Sequence, residues 1–108
     1  MITATFIFRV SSYDGEFQTL DERIDRIAES NEGYLGRKRW TDNDGNRSVV
    51  YYWRSMDDLA TFQKDSTHKL AKSRYREWYA GYRVEIAEVT KIYGDGFFDG
   101  VFPQIPDS

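Results

Sequence analysis

Residues 2 to 10 alternate, with Ile2, Ala4, Phe6, Phe8 and Val10 on one side and Thr3, Thr5, Ile7 and Arg9 on the other. A period of two predicts a strand, here one whose apolar side meets helices. Ser11 to Gly15 is a turn-rich link. From Glu16 onward, Phe17, Leu20, Ile24, Ile27 and Ala28 recur every three or four residues, which predicts an amphipathic helix with its acidic and basic residues on the opposite face. The helix is expected to stop near Asn31 to Gly33, where Asn and Gly permit a left-handed cap. Tyr34 to Thr41 and Arg47 to Arg54 read as two strands. The link Asp42-Asn43-Asp44-Gly45-Asn46 tolerates the positive φ of a hairpin turn, so the two should pair antiparallel. As a calcium loop it fails, because the glycine falls too early and Trp53 stands where the bidentate Glu is required.

Ser55-Met56-Asp57-Asp58 has the Ser-x-x-Asp start of a helix, with Ser55 accepting from a free backbone N–H and the aspartates favouring the positive end of the dipole. That reading makes the aspartates a cap rather than a metal site. The short helix carries Leu59 and Phe62 inward and pauses at Lys64-Asp65-Ser66. A second helix is predicted to run to about Ala80, placing His68, Ala71, Tyr75, Trp78 and Tyr82 along one stripe. Gly81 should break it, and Arg83 to Tyr93 has the β-branched content of a last strand. The order is strand, helix, strand, strand, helix pair, strand. This is an α+β, ferredoxin-like βαββαβ arrangement, with the helices on one face of a four-stranded antiparallel sheet. The other face carries Ile7 and a share of the Val and Tyr residues, so a second copy packed sheet against sheet is the natural completion, a homodimer.

Composition narrows the chemistry. One domain accounts for 108 residues, divided here into residues 1–94 and an aromatic arm, 95–108. The arm carries Phe97, Phe98, Val101 and Phe102, and is expected to dock across the dimer or over a pocket mouth. No window is apolar enough for a membrane span and the N-terminus lacks signal-peptide features, so a cytoplasmic protein without a membrane partner is expected. With no cysteine, thiolate nucleophiles, thiolate-bound metals and disulfides are excluded. A net charge of -3 gives no general attraction to nucleic acid. The basic run Arg37-Lys38-Arg39 lies on a predicted strand, which splits its charges between two faces.

The unusual figure is the aromatic fraction, 17%. Tyr and Trp favour places apolar at one end and wet at the other, which points to a pocket for a small apolar or aromatic ligand, a subunit interface, or both. His68 is the one side chain with an unperturbed pKa near neutrality. Three readings of it stand: a surface or supporting residue, a catalytic or substrate contact, and a haem ligand. Trp53, Tyr51, Tyr75 and Trp78 are candidates for pocket walls and hydrogen bonds. Arg54 and Arg74 are candidates for binding a carboxylate or phenolate.

Val50-Tyr51-Tyr52-Trp53-Arg54-Ser55, followed by Leu59, His68, Ala71, Trp78-Tyr79 and Tyr82-Arg83-Val84, resembles the antibiotic biosynthesis monooxygenase (ABM) superfamily. Gly33-Tyr34-Leu35-Gly36 resembles the same group's entry to its second strand. The resemblance implies a dimeric α/β barrel and a monooxygenase of small aromatic or quinone-like substrates that uses neither metal nor flavin. His68 and Trp53 are therefore the candidate catalytic residues, and Tyr51, Tyr75 and Trp78 the candidate substrate contacts. Haem-degrading relatives place a Trp on the third strand and a His on the second helix, as here, but also an Asn on the first strand, which residues 2 to 10 lack. A non-enzymatic dimeric module that binds a small ligand is the remaining alternative.

Overall fold

Four strands carry the chain, β1 (Ile2–Val10), β2 (Tyr34–Thr41), β3 (Arg47–Trp53) and β4 (Tyr79–Glu88), hydrogen-bonded in the order β2-β3-β1-β4 with every neighbour antiparallel. Between them lie α1 (Gly15–Ser30), α2 (Met56–Gln63), α3 (Ser66–Ser73) and a 3-10 turn, Tyr75–Glu77. This is the expected ferredoxin-like α+β fold. The computed structural model describes residues 1–12 and 14–106, and the side chains of Ser66, Thr67 and His68 also lie outside the described set. Among the described residues no helix is long and apolar enough to cross a membrane.

The alternation in β1 works as read. Ile2, Ala4, Phe6 and Phe8 stand opposite Trp53, Tyr51, Val49 and Arg47 on β3, so these positions share one side of the sheet. The helices bury that side in two clusters. Ile2, Ala28, Trp53, Leu59 and Phe62 form the first, and Phe17, Leu20 and Trp78 the second. Trp53 has 0% exposure, its ring 4.9 Å from Phe62 and 5.8 Å from Tyr34. Removing a ring packed this way costs about 3–5 kcal/mol.

Three expectations are corrected. The first helix ends without a left-handed cap, since Asn31 is extended at φ -78°. Instead the Asn31 side chain accepts from the Gly33 N–H at 2.8 Å and donates to the Asp58 carbonyl at 3.1 Å. Gly33 is needed for space, because a Cβ there would come within 2.1 Å of the Asp58 carboxyl. Second, the helix containing His68 stops at Ser73 rather than near Ala80, so the stripe from His68 to Tyr82 does not exist as a helix face. Arg74 leaves helical geometry at φ -108° and ψ 11°, and the Trp78 carbonyl is taken by the Ser11 and Ser12 N–H groups at 2.7 and 3.1 Å. Third, the last strand starts at Tyr79 and ends at Glu88, so Gly81 lies inside it, opposite Arg9. Between Arg9 and Val10 the register shifts by one residue: Phe8 faces Tyr82, Arg9 faces Gly81, and Val10 faces Tyr79.

The hairpin and the second helix start follow the sequence. Gly45 carries the positive φ, 84°, and the Asp42 carboxylate accepts from the Asn46 side-chain amide and from the Asn46 and Asp44 backbone N–H groups, which hold its pKa below the usual range. Ser55 caps α2 by accepting from the Asp58 N–H at 3.2 Å, while its hydroxyl donates to the Asp58 carboxylate at 2.7 Å. The basic run splits as its alternation requires. Arg37 and Arg39 turn to α1, while the Lys38 ammonium lies 5.1 Å over the Phe102 ring.

That ring belongs to the C-terminal arm, which lies on the face without helices. Phe102 stacks on Trp40 at 6.1 Å and 12°, Phe98 meets Phe102 edge-on, and Pro103 approaches Gly36, whose φ is 143°. Ile92, Tyr93, Phe97 and Phe98 remain exposed.

Gly33→Ala should displace the Asp58 side chain and disturb the cap of α2. The expected cost is about 1–3 kcal/mol, read as a lower urea midpoint with an unchanged slope. A midpoint equal to that of the parent would show that Asp58 can turn away freely.

Candidate functional site: an aromatic shelf and a carboxylate cleft

The helices leave one strip of their side of the sheet open. Tyr82, Val84 and Ile86 of β4 stand opposite Phe8, Phe6 and Ala4, and so face the helix side, yet they are 39%, 49% and 45% exposed. Together with Phe6 they make an apolar shelf. Tyr75, from the 3-10 turn, closes one end of it with its ring 4.7 Å from that of Tyr82.

Behind the shelf stands Tyr79. Its ring lies 5.5 Å from Phe6, 5.0 Å from Phe8 and 5.6 Å from Phe17. It also lines a small cleft, shared with Phe17, Leu20, Asp21, Ile24, Ala71 and Trp78, whose volume of about 20 Å³ suits roughly one water molecule. Burial pushes the Tyr79 phenol well above its ordinary pKa, and the charge of Asp21 adds to the effect. The phenol therefore stays protonated and able to donate. Trp78 is 2% exposed, and its indole N–H finds no acceptor among the described residues. From outside, the Arg74 guanidinium covers the Trp78 ring at 4.9 Å while paired with Glu16 and Glu77.

Two acids of α1 reach into this interior. Asp25 is fully engaged: the Tyr51 hydroxyl donates to it at 2.9 Å, the Arg39 guanidinium at 2.7 Å, and Arg37 lies at 3.8 Å. Burial and the charge of Asp25 keep the Tyr51 phenol protonated. Asp21, one turn earlier, receives no hydrogen bond among the described residues. Burial raises its pKa above the ordinary carboxylate value, the charge of Asp25 adds to this, and Arg39 and Arg37 oppose it. Sequence reading placed the acids of α1 on the outer face, and the structure corrects this. At about 100° per residue Asp21 lies only roughly 40° from Phe17, inside the apolar arc, and that angle was the available signal.

The residues singled out from sequence fall in different places. Tyr51 and Trp53 are on the helix side, their rings stacked at 6.4 Å, with Trp53 sealed in the first cluster. Trp78 walls the cleft and Tyr75 the end of the shelf. Trp53 and Trp78 are not brought together, since they belong to separate clusters. His68 is in α3, but its side chain lies outside the described residues. Arg54 and Arg74 are committed to Asp58 and to Glu16 and Glu77. A larger hollow, about 860 Å³, lies between the arm and β2, but it is open, and its apolar lining, with Trp40, Phe98 and Phe102, is interrupted by the charges of Lys38, Asp95 and Asp99. Among the described residues it offers no buried titratable group. Nor is any group of three or more His, Asp or Glu among those residues placed to hold a metal ion.

The fold coincides with that of a known class. A sequence model of the family described as monooxygenase af470-like matches residues 4–95, and the chain belongs to that family, within the ABM superfamily. The uncharacterized protein YqjZ of Bacillus subtilis strain 168 is 32% identical over 82 residues, covering 75% of this chain and 72% of its own. Among solved structures, SnoaB from Streptomyces nogalater, a cofactor-independent oxygenase, superposes with a TM-score of 0.68 at 12% identity, covering 84% of this chain and 94% of that one. Rv0793 from Mycobacterium tuberculosis gives 0.71 at 10% identity, over 86% and 98%. At these identities the two structures share the fold.

The raised pKa of Asp21 fixes the sign of a stability effect. The folded chain holds this proton more tightly than the unfolded chain, so the carboxyl is least costly at low pH and its cost grows as pH rises toward the folded-state pKa. Asp21→Asn is therefore expected to melt higher than the parent at pH 7, with the gap closing below about pH 4, the ordinary aspartate range. A gap that is constant with pH would refute the burial argument.

Proposed function

We propose that this chain is a monooxygenase of a small, electron-rich aromatic or quinol-like substrate, working without metal or flavin. The observation that carries the reading is the open shelf of Phe6, Tyr82, Val84 and Ile86 directly in front of a neutral tyrosine, Tyr79. A flat apolar ring has a surface to lie on there, and a substrate oxygen has a donor to meet. Family membership and the shared fold with a cofactor-independent oxygenase support it.

The chemistry asks little of a protein. Once deprotonated, an anthrone or quinol has the electrons to reduce O2 itself, so the protein must orient the ring, exclude water and accept a proton. In this reading Tyr75 and Trp78 bear on the substrate at the end of the shelf and at the cleft. Tyr51 and Trp53 support the wall behind them, Trp53 acting through the ring of Tyr51. His68, carried on α3, is proposed as a catalytic residue. The domain of residues 1–94 would carry the site and the arm, 95–108, would cover the opposite face. That face, with Ile7, Val50 and Tyr52 and the arm laid on it as part of the contact, is proposed as the homodimer surface.

Oxygen uptake with a panel of anthrones and quinols tests this. One O2 consumed per anthrone, under strictly metal-free conditions with chelator present, is expected, and no uptake across the panel would favour a non-enzymatic binding module. Haemin titration should leave the Soret band unshifted; a shift abolished by His68→Ala would replace this reading with haem ligation.

A further inference from the structure

We propose that Asp21 is the proton acceptor of this site, taking the reacting proton of a keto- or hydroxy-substituted aromatic substrate across the water-sized cleft it shares with Tyr79 and Trp78. The proposal rests on the oxygenase reading above. It is carried by a contrast within one helix. Asp25 and Asp21 are one turn apart and both turn inward, but Asp25 is held by Tyr51 and Arg39, whereas Asp21 faces Phe17, Leu20, Ile24, Ala71, Trp78 and Tyr79 with no donor among the described residues. A partly buried carboxylate that receives no hydrogen bond is costly, offset here only by the charges of Arg39 and Arg37. Trp78, whose indole N–H is unsatisfied among the described residues, is one wall of the same cleft. Asp21, Trp78 and Tyr79 thus border a space of about 20 Å³, a setting that suits a bound water or the edge of a substrate.

The step balances without an outside reductant. With an anthrone, the methylene C–H bond breaks, its proton goes to Asp21, and its electron pair spreads across the ring to the keto oxygen on the far side, leaving Tyr79 to donate to the oxygen that then bonds to the same carbon. The carbanion gives its electrons to O2 and a C–O bond forms. Asp21 returns the proton to the peroxide, the O–O bond breaks as the second C–H proton leaves with the departing oxygen, and a quinone and one water result. Substrate and O2 exchange four electrons. Burial first, then the charges of Asp25 on α1, Arg39 and Arg37 on β2 and Glu22 on α1, set the ionisation of Asp21, and the phenol of Tyr79 on β4 faces it, its own pKa raised by burial and by the charge of Asp21. Ala71 is what α3 contributes to the cleft wall. Activity should therefore rise with pH through an inflection above the ordinary aspartate value of about 4.

The test uses the full chain and its Asp21→Asn and Asp21→Glu forms, with melting curves confirming folding. Oxygen uptake with an anthrone should fall about 100-fold or more in Asp21→Asn, partly recover in Asp21→Glu, and lose the carboxylate inflection in Asp21→Asn, while the affinity for the unreactive quinone stays within about threefold. Uptake by Asp21→Asn within threefold of the parent, with the inflection kept, would overturn the assignment and leave the oxygenase reading intact. If the parent itself consumes no oxygen, that reading fails and Asp21 is judged by a nitrophenol probe. Ionisation of the bound probe in the parent but not in Asp21→Asn supports a proton acceptor, and equal ionisation in both overturns it.

Discussion

Asp25 is the point on which the arrangement turns. One half-buried carboxylate takes the Tyr51 hydroxyl from β3 and the Arg39 guanidinium from β2, with Arg37 beside it. These contacts fix the rotation of α1 about its axis, because a helix turned by even one residue would carry the carboxylate away from both strands. Burial of an ion cluster contributes less to stability than to choosing one arrangement among several. Once α1 is set this way, Phe17, Leu20 and Ala28 must face the sheet and Asp21 must follow them inward. The cleft is a by-product of the helix rotation that Asp25 requires.

The two apolar clusters divide the labour. The one around Trp53 and Phe62 joins α2 to β3 and the end of α1, and it contains only apolar groups apart from the sealed indole nitrogen. The one around Phe17 and Trp78 joins the start of α1 to the link after α3, and it is the one that meets Asp21 and Tyr79. The first cluster is sealed, and the second borders the cleft. Arg74 ties the second cluster down from outside by lying on Trp78 while pairing with Glu16 and Glu77, so the side nearer solvent is held by charge as well as packing.

Much of the fold was legible because its signals are local. The alternation of Ile2 to Val10, the Asp42 to Asn46 turn and the Ser55 cap each state their element within a few residues, and the fold class follows from their order. The end of α3 was not legible, because Tyr75, Trp78 and Tyr82 keep helical spacing after the helix has stopped. What stops it is distant in sequence: the Trp78 carbonyl is claimed by Ser11 and Ser12, and pairing with β1 claims the chain from Tyr79 onward. The candidate site was half legible for the same reason. Aromatic content announces a lined surface that includes Trp78, but the side chain with unusual chemistry in the sequence is His68. The carboxylate that matters in the structure is an ordinary aspartate, distinguished only by its angle on a helix and by lacking the partners its neighbour has.

The register shift opposite Arg9 decides which way Tyr79 points. In an unbroken strand, residues alternate faces, and Tyr79, three positions from Tyr82, would look away from the helices. The single unpaired residue between Gly81 and Tyr79 changes that parity and brings both tyrosines to the same side, one on the shelf and one at the cleft. A relative that lacked this extra residue would keep the fold, the sheet order and nearly the whole sequence, yet would carry its tyrosine on the opposite surface. Within this fold, then, the count of residues in one strand is as much a part of the site's chemistry as the identity of any side chain in it.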